Sequence, residues 1–233
     1  MLDYLSQNWQ QNNEDDALQA AMSASDHGVM SGIASGTRVA TMRGWQLVEK
    51  LEVGDAILTF DNGLRILRSA RRVTLWNGIG RCPRQFRPLH VPAGVLGNRE
   101  AMTVPPRQGL MVESDAAEAA TGDPFALLHA EALEGVCGIE RFEPAQSVEV
   151  YVLQFDEDEI VFTASGSLCV CAGGGDMMER MLLGENGSDY QMLSTDFDGD
   201  LIADIRCEIY DTVLSGASRS QNGAQGAPMA QVA

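Results

Sequence analysis

From Thr37 onwards, short apolar or alternating runs are separated by turn residues. Gly44, Gly54-Asp55 and Asp61-Asn62-Gly63 recur about every ten residues, a spacing typical of strands in antiparallel sheets. Asn-Gly is a strong hairpin signal because both residues tolerate a positive φ angle. We therefore predict an all-β fold, with strands in the runs RVAT, WQLVEKL, AILTF, RILRSARRVTLW, RPLHVPAGVL, SVEVYVLQF and EIVFTAS.

Helical patterns appear only at the flanks of this β region. DDALQAAMSA begins with acidic residues that favour a helix start, and DLIADIRCEIYDTVL has apolar residues at helical spacing. A further short helix is predicted in GGGDMMERMLLGENGSD, and a loop or short helix in ESDAAEAATGDP. The predicted organisation is a polar and helical segment at 1–31, a β domain at 32–175, a helical extension packing on it at 176–214, and a disordered tail at 215–233.

The chain is strongly acidic, with a formal net charge of -17 and a pI of about 4.4. Such a charge repels nucleic acid and anionic lipid, so we expect neither a nucleic-acid nor a membrane partner. The N-terminus lacks the basic start and apolar core of a signal peptide, and no segment approaches the ~20 apolar residues of a membrane span. We expect a cytoplasmic protein; the alternative is export without a cleaved signal.

Five cysteines occur without the spacing of a disulfide framework or a zinc site. Cys169 and Cys171 are separated by a single residue, and no second pair follows. We therefore expect free thiols, and no cofactor.

An ordered set of residues in GTRVATMRGWQLVEKLEVGDAILT carries a family resemblance. Two further stretches, PLHVPAGVLGN at 88–98 and VEVYVLQFDEDEIVF at 148–162, extend it. On these motifs the chain resembles the Hint (Hedgehog/intein) family, in particular a bacterial branch of Hint-domain proteins. The matching residues of the first motif are Gly36, Thr37, Val39, Thr41, Gly44, Val48, Glu49, Leu51, Val53, Gly54, Asp55 and Leu58.

The resemblance implies a pseudo-symmetric β horseshoe with short flanking helices. It also implies self-processing, in which a Cys or Ser side chain attacks the preceding peptide bond to give an ester or thioester. That reaction needs an activated nucleophile, a general acid for the departing nitrogen and donors for the oxyanion.

The residues at the implied catalytic positions lack this chemistry. The family spacing puts the nucleophile at Gly32, and puts Arg107 and Asp158 at the two histidine positions. Glycine has no side chain, and a guanidinium does not exchange protons near neutral pH. The resemblance therefore indicates a degenerate domain; if Arg107 and Asp158 meet where the histidines stood, we expect an ion pair. The fallback nucleophiles are Ser31 and Ser35.

A second candidate site lies before the last predicted helix. Asp196, Asp198, Asp200 and Asp204 have the alternating spacing of a short calcium loop, although the pattern favours carboxylates that cap the start of the last helix. Three functions therefore stay open: an inactive Hint domain that acts as a structural or interaction module for an unknown protein partner, a residual self-cleaving domain, and a calcium-dependent exported protein.

Overall fold

The computed structural model describes residues 30–173 and 190–223. Within them the chain is mostly β-sheet, with two α-helices and three short 3-10 helices, so the predicted all-β fold is confirmed. The strands are β1 (Ile33–Ala34), β2 (Arg38–Thr41), β3 (Gly44–Leu47), β4 (Ala56–Thr59), β5 (Gly63–Ile66), β6 (Ser69–Trp76), β7 (Leu89–Val91), β8 (Met102–Val104), β9 (Gly109–Glu113), β10 (Phe125–His129), β11 (Glu140–Arg141), β12 (Val148–Gln154), β13 (Glu159–Phe162) and β14 (Leu168–Cys171). The α-helices are α1 (Asp115–Thr121) and α2 (Gly199–Gly223), and the 3-10 helices are Val48–Lys50, Arg84–Phe86 and Ala130–Leu133.

The largest sheet has eight antiparallel strands in the order β10-β9-β14-β13-β4-β2-β3, with β5 paired to β4. Around β9, β10 and β13, side chains are buried on both faces of this sheet. Leu110 and Leu128 belong to the main core, whereas their neighbours Met111 and Leu127 pack in a second cluster on the other face. This two-sided burial explains why these strands have continuous apolar runs rather than alternation.

Two three-stranded sheets complete the β structure, in the orders β1-β12-β6 and β11-β7-β8. The first sheet holds β1, the first strand of the domain, against β12, because Ile33 pairs with Tyr151 and Ala34 with Val150. The segment that carries the predicted nucleophile position therefore runs antiparallel to β12.

The helices pack on the main core and on each other. The N-cap of α1 is Ser114, whose hydroxyl accepts a hydrogen bond from the Ala117 N–H. From α2, the Glu208 carboxylate accepts hydrogen bonds from the Ser114 hydroxyl and the Asp115 N–H. Ile205 of α2 is fully buried, as the helical spacing predicted.

The last helix ends later than predicted. It continues to Gly223, so the prediction of a disordered tail from residue 215 is wrong for residues 215–223. A helix with an anchored apolar face propagates through residues that contribute no apolar side chain, because each added residue completes a hydrogen bond. The helices predicted in residues 1–29 and 174–189, and the tail at 224–233, lie outside the described residues. No helix in the described segments is both long and apolar enough to cross a membrane.

Candidate functional site

Gly32, the predicted nucleophile position, lies immediately before β1. Its φ angle is +128°, a value that residues with a side chain rarely adopt. A Cβ atom here would lie 3.1 Å from the carbonyl oxygen of Tyr151 and 3.2 Å from Cγ2 of Val150. The backbone conformation and the packing against β12 therefore both disfavour a nucleophilic side chain at this position.

Gln108 is the buried polar side chain that contacts Gly32. It precedes β9 and is 1% exposed. Its Oε1 accepts hydrogen bonds from the Gly32 N–H (2.8 Å) and the Ser31 hydroxyl (3.2 Å). Its Nε2 donates to the carbonyl oxygens of Gly109 (2.9 Å) and Val170 (2.8 Å). The amide uses both donor hydrogens and its acceptor oxygen, so it ties the entry segment to β9 and β14.

Arg107 lies outside this arrangement. Its Nε is 3.3 Å from Oε1 of Glu131, and its side chain is half exposed. Arg107 follows two consecutive prolines, Pro105 and Pro106, and precedes Gln108. The structure brings Gln108, one residue later than predicted, into contact with Gly32.

Asp158 is buried but does not meet Arg107. It accepts a hydrogen bond from the backbone N–H of Gly173. The predicted ion pair between Arg107 and Asp158 is therefore not formed, although both residues belong to the described part of the chain. Asp158 instead bonds to Gly173 where β13 begins and β14 has ended, whereas Arg107 pairs with Glu131 at the surface.

The two fallback nucleophiles differ in their surroundings. Ser31 is half-buried and donates to Gln108, an amide oxygen that accepts a hydrogen bond but cannot take up a proton at neutral pH. Ser35 is exposed in the turn after β1, and its N–H donates to the carbonyl of Glu149. The structure places only Ser31 beside the buried amide.

A cluster of hydroxyl groups, which the sequence patterns did not indicate, lies next to Gly32. Thr163 Oγ1 is 2.8 Å from Ser165 Oγ and 2.7 Å from Ser167 Oγ. The cluster and Gln108 line a cavity of about 20 Å³, which has room for about one water molecule and not for a substrate. Alternating small polar residues in TASGS were the available signal, but that pattern is equally typical of an exposed turn.

Cys169 also lines this cavity, together with Gly32, the predicted nucleophile position. Burial raises the pKa of its thiol to about 12, and a hydrogen bond with Ser167 lowers it only in part. The thiol is therefore protonated at neutral pH. Because the thiolate is the nucleophile, Cys169 does not substitute for the missing side chain at Gly32.

Asp196 and Asp198 lie just before α2, and Asp200 and Asp204 lie in its first turns. Asp198 accepts a hydrogen bond from the Ser194 N–H (2.8 Å), and its own carbonyl accepts one from the Ile202 N–H (2.9 Å). Among the residues that the structure describes, no three His, Cys, Asp or Glu side chains are grouped to hold a metal ion. The calcium site at Asp196, Asp198, Asp200 and Asp204 therefore gains no support from this part of the chain and stays a prediction.

Comparison with known proteins identifies the same region. A family model described as the Hint domain matches residues 32–169. A bacterial intein-like domain from Clostridium thermocellum is 14% identical in sequence; the match covers 60% of this chain and 97% of that domain, with a TM-score of 0.41. A splice-inactive variant of the AceL NrdHF class 3 split intein is 14% identical, over 62% of this chain and 99% of that one, with a TM-score of 0.37. The MchDnaB-1 intein is 16% identical, over 58% and 98%, with a TM-score of 0.37. None of the curated proteins compared with the chain is significantly similar to it.

Proposed function

The chain belongs to the Hint domain family, and from this we propose that it is a member that no longer cleaves or splices itself and acts as a structural or interaction module. One observation carries the proposal: at Gly32 the reactive side chain is absent, and the backbone has a conformation that glycine alone tolerates well. An acyl shift cannot begin without an atom that attacks the preceding carbonyl carbon.

The groups around Gly32 support the same proposal. Gln108 donates and accepts hydrogen bonds but does not transfer protons, so it is a poor replacement for a general acid. The nearby Cys169 is protonated because burial raises its pKa to about 12. Neither Gln108 nor Cys169 therefore replaces the reacting groups that self-processing needs.

Intact-mass measurement tests the proposal. The purified full chain is incubated with dithiothreitol or hydroxylamine, which resolve thioesters and esters. We expect one species at the full mass of 25.1 kDa. The variant Gly32→Cys is expected to give the same result, because a cysteine at φ +128° is strained and is crowded by the Tyr151 carbonyl. A shortened species from the unmodified chain would refute the proposal.

Ser31 supports a second candidate function, residual self-cleavage, because its hydroxyl lies 3.2 Å from the Gln108 side chain. Its Oγ would bond to the Met30 carbonyl carbon as the Met30–Ser31 C–N bond breaks, and the hydroxyl proton would pass to the released amine. Water would then hydrolyse the ester. A shortened species that disappears in Ser31→Ala but persists in Ser35→Ala would establish this alternative.

A further inference from the structure

The described residues enclose a cavity of about 400 Å³ that is lined by β9, β10, β13, both α-helices and the segment at 190–198. This volume is in the range of small-molecule sites, which is about 300–1,000 Å³. The cavity shares no lining residue with the small cavity beside Gly32. Its occupation therefore does not depend on whether the domain cleaves itself.

The floor of the large cavity is apolar. Met111, Leu127 and Ile160 line it and are buried in the second core cluster. Leu193 and Leu201 also line it and are half-buried. An apolar group that enters the cavity would therefore remove apolar surface from water, which favours binding.

Aromatic side chains form part of the wall. Phe60, Phe125 and Tyr190 line the cavity, and each is half-buried. The rings of Phe60 and Phe125 have centroids 5.1 Å apart and an interplanar angle of 76°, and the Tyr190 hydroxyl donates a hydrogen bond to the Asp61 carboxylate. The faces of aromatic rings carry a partial negative charge and attract cations.

The polar rim of the cavity is acidic. Asp61 and Asp123 are exposed, and Asp198 is half-buried. Asp123 accepts a hydrogen bond from the Phe125 N–H (2.9 Å) and Asp198 one from the Ser194 N–H (2.8 Å), so their donors are neutral groups. In the described segments no Arg, Lys or His lines the cavity. The negative charge at the rim is therefore not neutralised by a neighbouring basic side chain.

We infer that this cavity binds a small organic cation, a free primary amine that carries an apolar ring or chain. The apolar body would lie against the floor, and the ammonium group would donate hydrogen bonds to the carboxylates at the rim. A bare metal ion fits less well, because the described His, Cys, Asp and Glu side chains include no group of three that could hold one. An anion would be repelled by the rim.

A free amine is favoured over the lysine side chain of another protein, which presents the same ammonium group. A lysine enters together with its peptide backbone, whose polar N–H and C=O groups would lie against apolar and aromatic side chains and lose hydrogen bonds to water. An apolar ring at the same place has no polar group that requires a partner.

Amide NMR titration of the full chain tests the inference. The probe is 4-phenylbutylammonium, and its matched controls are the neutral 4-phenylbutanol and the anionic 4-phenylbutyrate. We expect saturable shifts of the Phe125 and Leu193 amide signals with a dissociation constant of about a millimolar, and no shifts in β7, which belongs to another sheet. The alcohol is expected to bind at least about fivefold more weakly, and the carboxylate not measurably.

Variants check that the rim carboxylates select the cation. Asp61→Asn combined with Asp123→Asn should weaken binding of the ammonium probe about fivefold, and Asp61→Asn alone about twofold. The matched control combines Glu100→Gln with Glu140→Gln, which removes two exposed carboxylates that do not line the cavity and should leave the dissociation constant unchanged. An unchanged amide spectrum in the absence of the probe shows that each variant is folded.

Four results would overturn the inference. They are the absence of saturable shifts, shifts confined to residues outside the cavity, equal affinity for the ammonium probe and the alcohol, and equal weakening in the two double variants. A further arm separates the two sources of the ammonium group. Nα-acetyl-lysine methylamide is expected to bind at least about fivefold more weakly than 4-phenylbutylammonium, and tighter binding would refute the assignment to a free amine.

Discussion

Gln108 holds the entry segment of the domain, and its replacement by leucine tests how much that contact contributes. Leucine has a similar size but makes none of the four hydrogen bonds with Gly32, Ser31, Gly109 and Val170. At about 1 kcal/mol each the loss is ~4 kcal/mol, and burial of the more apolar leucine returns ~1–2 kcal/mol. We expect Gln108→Leu to lower the free energy of unfolding by about 2–3 kcal/mol.

Urea denaturation followed by circular dichroism measures this effect. A loss of that size corresponds to a decrease of roughly 1 M in the urea midpoint with an unchanged slope. The matched control is Gln146→Leu, because Gln146 is exposed and its substitution is expected to change stability by less than about 0.5 kcal/mol. If the two variants are equally stable, Gln108 does not hold the entry segment and the reasoning is refuted.

Three further predictions follow from single contacts. Gly32→Ala is expected to lower the free energy of unfolding by about 2–3 kcal/mol, and Gly36→Ala by about 1 kcal/mol. Both glycines have a positive φ, but only a Cβ at Gly32 would crowd its neighbours, since a Cβ at Gly36 meets no atom within 4 Å; equal urea midpoints for the two variants would contradict this. Burial raises the pKa of Cys169 to about 12, so a disulfide reagent at pH 8 should label exposed Cys207 and leave Cys169 unmodified until the protein unfolds; labelling of native Cys169 at the rate of Cys207 would count against the burial. Between about pH 9 and about pH 12 the unfolded state binds fewer protons than the native state, so the free energy of unfolding should fall as the pH rises through this range. Asp198→Ala should lower the free energy of unfolding by about 1 kcal/mol through loss of the hydrogen bond from the Ser194 N–H. Millimolar calcium should leave the melting temperature of the unmodified protein and of this variant unchanged; a calcium-dependent rise in melting temperature that the substitution abolishes would support the metal site.

The strands and turns near the N-terminal motif were predictable because their signals are local. RVAT is β2 exactly, and the glycines at Gly44 and Gly63 have the positive φ angles expected of their turns. In WQLVEKL, however, the strand ends at Leu47 and a 3-10 helix follows. Val48, the first residue of that helix, is fully buried. Tertiary packing, and not the alternation of apolar and polar residues along the chain, therefore determined where the strand ends.

The site was predictable in kind but not in detail. The missing side chain at Gly32 follows from the sequence alone. Its partner does not, since only the tertiary structure shows that Gln108 is buried beside Gly32 while its neighbour Arg107 is half exposed. The hydroxyl cluster of Thr163, Ser165 and Ser167 was likewise out of reach, because a Ser- and Thr-rich turn has the same pattern whether it is exposed or packed against a cavity.

The amino-acid sequence by itself determined that this is an all-β domain of the Hint family whose predicted nucleophile position is a glycine. Those properties depend on residue type and on periodicity over a few neighbours, which the sequence records directly. Tertiary structure alone decided that Gln108 faces Gly32 and that Arg107 and Asp158 stay apart. Each of these depends on which distant strands are brought together and on whether a second layer covers them, and residues far apart in the chain carry no local signal of that contact.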